Sequence, residues 1–74
     1  MVKELCDFIK DFIEDEDVII TENTLLYDDL NLNSFEYIQL ISAIEDEYDI
    51  EINTREVMKI KTVKDLEQMI LVRS

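Results

Sequence analysis

A polar side chain followed three residues later by an acid recurs beyond residue 32 of the 74-residue chain: Asn33 with Glu36, Asn53 with Glu56, and Thr62 with Asp65. The side-chain oxygen can accept from a free N–H of a helix's first turn, and the acid favours the positive helix end. Only Thr62 is the Ser or Thr of the usual capping box, yet all three pairs read as helix starts. Helices are therefore expected from about 34 to Tyr48, from about 54 to near Lys59 as a short turn, and from about 63 to Val72. Ahead of them, Val2, Leu5, Cys6, Ile9, Phe12 and Ile13 recur at steps of three and four, with most charges elsewhere. That is the pattern of an amphipathic helix.

Acidic residues 14 to 17 interrupt the pattern, and the stretch after them has neither a helical nor a strand period. Val18, Ile19 and Ile20 resemble a short strand, but no second strand run could pair with them. A connection of about twenty residues in so small a domain must pack or function. Ile19, Ile20, Leu25, Leu26, Tyr27, Leu30 and Leu32 give it the apolar side chains to pack, so the loop is expected to join the core. The chain has no Gly and no Pro. Asn23, Asn31, Asn33 and Asn53 are the residues best suited to supply positive φ in their place. The expected fold class is all-α, a four-helix bundle with a long first loop and a short third helix, in a single domain over 1–74. At 47% hydrophobic residues such a chain can fold despite its 35% charged residues.

Seven Lys and Arg stand against 19 Asp and Glu, a net charge of -12. That charge repels phosphate backbones and anionic lipid, so neither nucleic acid nor membrane insertion is expected, and no run approaches membrane-spanning length. It favours salt-sensitive docking to basic patches on proteins. The first twelve residues alternate charged and apolar positions, unlike a secretory signal, and a cytoplasmic monomer is the expectation. Cys6 is the one cysteine and there is no histidine. Zinc sites and Cys-His or Ser-His-Asp nucleophiles are thereby excluded, and Cys6 reads as a small apolar helix residue rather than a reactive thiol. Without glycine no glycine-rich phosphate loop can form, and no enzyme is expected. Asp29, Asn31 and Asn33 have the first spacings of an EF-hand loop. However, Ser34 stands where its glycine belongs and Leu40 where its bidentate glutamate belongs, so no metal site is expected.

On the second helix Tyr37, Leu40, Ile41, Ile44 and Tyr48 form a core stripe, while Phe35 and Ile38 lie off it with Ser42 continuing their row. Two readings stay open for Phe35 and Ile38: a helix buried on two sides, or a small apolar docking patch beside Ser34 bordered by Glu36, Gln39, Glu45 and Asp46.

The run "DDLNLNSFEYIQLISAIEDEYDIEI" resembles the acyl carrier and peptidyl carrier proteins, whose pattern is Asp-Leu-Gly-x-Asp-Ser-Leu followed by an acid-rich amphipathic helix. Asp29, Leu30 and Ser34 match it, as does the helix through Leu40, Ile44, Glu45 and Tyr48. Downstream, Ile52 and the run Ile60 to Leu66 are similar to the family's Ile-x-Thr-Val-x-Asp-Leu segment. The resemblance implies a standalone carrier in which Ser34 accepts a 4'-phosphopantetheine from coenzyme A, added by a separate magnesium-dependent transferase. The arm then holds acyl or aminoacyl groups as thioesters. Phe35, Glu36, Ile38, Glu45 and Asp46 would dock the transferase and the loading or acyl-transferring enzymes. Asn33 replaces the family's Asp, Phe35 its Leu or Met, and Asn31 its Gly; Gln39 and Ser42 make the docking face more polar than in many fatty-acid carriers. Fatty acyl, polyketide, aminoacyl and alanyl carriers share this architecture. The competing expectation is an unmodified acidic helical interaction module.

Overall fold

The computed structural model describes residues 1–15 and 17–73, and contains α1 (Val2–Ile13), α2 (Ser34–Tyr48), α3 (Thr54–Val57) and α4 (Val63–Arg73). Among the described residues there is no strand, only one isolated antiparallel bridge between Leu25 and Thr62. The all-α expectation holds, with helix starts at the expected residues. α3 is shorter than expected, ending at Val57 rather than near Lys59. Among the described residues no helix is long and apolar enough to cross a membrane. Glu16, part of the acidic run expected to end the first helix, lies outside the described residues.

Both asparagine caps work as complete boxes. Asn33 Oδ1 accepts from Glu36 N–H at 2.7 Å while Glu36 Oε1 accepts from Asn33 N–H at 3.1 Å. Asn53 and Glu56 repeat the arrangement at 2.8 and 3.2 Å. At α4, Thr62 Oγ1 accepts from Asp65 N–H, and Asp65 Oδ2 accepts from the N–H groups of both Thr62 and Lys61. Those bonds hold the Asp65 carboxyl below its ordinary range, the Thr62 N–H contributing most. A short side chain that accepts from the backbone also fixes where the helix can begin.

Helix ends use positive φ at different residues from those expected. Glu14 closes α1 at φ 56° and Asp49 closes α2 at φ 53°, each donating its N–H back four residues, to Lys10 and Glu45. Asn31, at φ 54°, is the one expected asparagine that does so. Asn33 and Asn53 are extended caps at φ -86° and -79°, and Asn23 is not among the positive-φ residues. A left-handed residue is what lets a helix reverse and bond its last carbonyls. Here the exit geometry outweighs the residue's own preference.

Leu5 and Ile9 of α1, Leu40 and Ile44 of α2, and Val63, Leu66 and Ile70 of α4 are fully buried together, with α1 packed against α4. Phe8, off the expected α1 stripe, also packs against this core. The long loop contributes Leu26, fully buried, while Ile20, Leu30 and Leu32 pack partly against the core. Ile19, expected to pack, is instead 83% exposed. Backbone bonds stitch the loop to the start of α4: Leu26 N–H to Lys61 at 2.8 Å, Val63 N–H to Thr24 at 3.1 Å and Lys64 N–H to Glu22 at 2.9 Å. The radius of gyration, 11.1 Å, is near the roughly 11 Å of a packed chain this long, as an anchored loop requires.

Candidate functional site

Ser34 is the first residue of α2, directly after the Asn33 cap, and its side chain is exposed. First-turn N–H groups have no partner within their own helix. Asn33 satisfies that of Glu36, and those of Ser34 and Phe35 belong to the same open, electropositive end. Loop geometry brings a second hydroxyl close, with Tyr27 OH 3.3 Å from Ser34 Oγ. The turn that presents Tyr27 is closed by Asp29, whose Oδ2 accepts from Leu25 N–H at 2.8 Å and whose N–H donates to Leu25 at 3.0 Å. Leu32 N–H then reaches back to the Tyr27 carbonyl at 3.2 Å. Two of the three side chains with EF-hand spacing, Asp29 and Asn33, thus serve as turn and cap acceptors.

Behind Tyr27 stands Tyr37, the two rings meeting edge to face at 5.7 Å and 85°. The half-buried Tyr37 hydroxyl donates toward the carbonyls of Ile60 at 3.2 Å and Val57 at 3.4 Å, and burial pushes its pKa up. It stays a protonated donor that joins α2 to the end of α3. A groove of about 510 Å³ opens beside the pair, walled by Leu25, Val57, Met58 and Ile60, with Asp28 and Lys61 as its charged residues. Tyr27 was expected to anchor the loop, and the structure places its hydroxyl beside the serine instead; Tyr37, expected on the core stripe, packs against the core as expected and supports the Tyr27 ring from behind. A tyrosine three residues after Ser34, on the same side of the helix, was the available sequence signal for Tyr37.

Phe35 is 70% and Ile38 51% exposed, which removes the two-sided burial reading and leaves an apolar surface pair. At 100° per residue Ser34, Ile38 and Glu45 fall within about 40° of one another, and Phe35, Ser42 and Asp46 follow within about 40° of one another. Asp46 is exposed. Glu36 and Glu45 have structural work as well as charge: Glu36 completes the α2 cap, and half-buried Glu45 accepts from Ile52 N–H at 2.8 Å, pinning the chain after α2. Cys6, a free thiol, is half-buried on α1, and burial together with nearby acids raises its pKa, as suits a packing residue.

A family profile described as a phosphopantetheine attachment site matches residues 3–70. An acyl carrier protein of Lactobacillus acidophilus is 40% identical over 67 residues, covering 85% of this chain and 84% of its own. Another, of Coprothermobacter proteolyticus, is 34% identical over 68 residues, covering 92% and 83%. A solved structure described as an acyl carrier protein, from Mycobacterium tuberculosis, superposes with a TM-score of 0.83 at 37% identity, covering 96% of this chain and 95% of that one.

Proposed function

The chain belongs to the phosphopantetheine-binding acyl carrier protein family, and on that premise we propose that Ser34 is the residue that bears the arm. It is a carrier protein, with covalently attached 4'-phosphopantetheine as its prosthetic group. The single observation that supports Ser34 is its place: an exposed hydroxyl at the first residue of a capped 15-residue helix. A phosphodiester there would meet first-turn N–H groups and the positive end of the helix dipole, which offset part of its charge. When bound, the group supplies a terminal thiol, which the half-buried Cys6 does not provide, and a flexible tether between active sites.

The residues present fit that group. The capping box holds Asn33 and Glu36 in place, so the backbone around Ser34 is set before a transferase arrives. Asn33 keeps the cap while dropping the family's negative charge, leaving the acids farther along the chain to attract a basic partner. Proteins of this family work with biosynthetic enzymes and a phosphopantetheinyl transferase. For this chain, Phe35 and Ile38 would supply the apolar contact, and Glu36, Glu45 and Asp46 the surrounding charge. The chain itself performs no catalysis in this reading, and its surplus of negative charge favours a monomer. Its working place would be the cytoplasm.

Intact-mass spectrometry after incubation with coenzyme A, magnesium and a broad-specificity transferase tests the reading. A gain of one phosphopantetheine by the wild type and none by Ser34→Ala is expected. No gain, or an equal gain by the variant, overturns it.

A further inference from the structure

Resting on Ser34 as the attachment point, we propose that the Tyr27 hydroxyl anchors the phosphodiester at the root of the arm and turns the arm into the groove walled by Leu25 and Met58. The two hydroxyls stand 3.3 Å apart, longer than the roughly 2.7–2.8 Å usual for O–H···O. In the unmodified protein either can donate. Once Ser34 is esterified its proton is gone, so Tyr27 becomes the donor of the pair, and a non-bridging phosphate oxygen is the charged acceptor placed just beyond Oγ. Such a bond to an anion is shorter and about twice as strong as one between neutral hydroxyls.

Tyr27 is held for this role yet has room to adjust. Its ring is 43% exposed, packs edge-on against Tyr37, and belongs to a turn closed by Asp29. Tyr37 is in turn bonded to the carbonyls of Val57 and Ile60. In a chain of net charge -12 a phosphodiester meets an adverse field, so a neutral donor beside the attachment point has value that a surplus of acids cannot supply. The groove begins at that donor. Its walls include Leu25, 38% exposed, and Met58, 78% exposed, while Asp28 and Lys61 offset one another in charge. Phe35 and Ile38 adjoin Ser34 but do not line the groove, so an arm held by Tyr27 leaves that patch free for partner enzymes.

The experiment uses the modified protein, after its mass gain has been verified, so failure of the Ser34 reading would be seen first and separately. Phosphorus NMR is recorded for wild type and Tyr27→Phe, which keeps the ring packing and removes one oxygen; amide spectra check that the fold is unchanged. Nuclear Overhauser contacts are measured from the gem-dimethyl protons of the arm to methyl and aromatic protons of the protein. The expected wild-type phosphorus resonance is displaced from its position in concentrated urea, and Tyr27→Phe moves it back toward that position. Arm contacts to Leu25 and Met58 are expected in the wild type and should weaken several-fold in Tyr27→Phe. Met58→Ala is expected to weaken the arm contacts to the groove while leaving the phosphorus resonance in place. Superposable phosphorus resonances in wild type and Tyr27→Phe overturn the proposal, as do arm contacts directed to Phe35 and Ile38 instead of Leu25 and Met58.

Discussion

Leu26→Ala tests whether the long loop is a structural member of the domain, because the loop sets both the Tyr27 turn and the entry to α2. Leu26 is fully buried among side chains of the helices, and its N–H is bonded to Lys61. Truncating such a leucine costs about 2–5 kcal/mol through lost transfer energy and the cavity left behind. At roughly 0.05–0.15 kcal/mol per residue, a 74-residue domain has only about 4–11 kcal/mol in total. The substitution should therefore remove a large share of the stability. Ile19→Ala is the matched control in the same loop: at 83% exposure it should change stability by no more than about 0.5 kcal/mol. Urea unfolding followed by circular dichroism reads both. With a slope of about 1 kcal/mol/M, a loss of about 2–3 kcal/mol lowers the midpoint by about 2–3 M. Equal midpoint shifts for the two variants, or a loss below about 1 kcal/mol for Leu26→Ala, would refute the reading of the loop as core.

Asn33→Ala should cost about 1 kcal/mol by opening the α2 capping box, lowering the thermal midpoint by about 4–8 °C in differential scanning calorimetry. The Asp65 carboxyl has a folded pKa below its unfolded value, so its stabilisation is present above the unfolded pKa and lost as pH falls through the folded one. Wild type should accordingly exceed Asp65→Asn in urea midpoint at neutral pH, with the difference closing on acidification. Asp46→Lys should slow association with a basic transferase several-fold at low ionic strength and have little effect at high salt, as measured by stopped-flow fluorescence. Asp46 suits this test better than Glu45, whose carboxylate also holds Ile52 N–H.

Helix starts were legible to the residue because capping is local chemistry. Asn33, Asn53 and Thr62 each meet an acid three residues on, and all three reciprocal pairs form. Helix exits were harder to read. Glu14 and Asp49 take positive φ because the chain must reverse there, although asparagine has the better intrinsic tolerance for that region. Ile19 and Leu26 are both aliphatic loop residues without a period, and only the tertiary stitching to the start of α4 decides that one is exposed and the other buried. At the candidate site, Ser34, Phe35 and Ile38 were readable from position on one helix. The closeness of Tyr27 to Ser34 was not, since a turn closed by Asp29 creates it across seven residues. Glu45 shows the same limit: its bond to Ile52 depends on the reversal at Asp49, which a charge pattern does not encode.

The chain contains three serines, Ser34, Ser42 and Ser74. Ser42 is also exposed and lies on the same helix, so locating the modification tests the central claim more directly than detecting it. Tandem mass spectrometry of the proteolysed, transferase-treated protein should place one phosphopantetheine on the fragment containing Ser34, with site-determining ions at that residue. A modification found on Ser42 or Ser74, or none on Ser34 in protein whose circular dichroism shows it folded, would contradict the account.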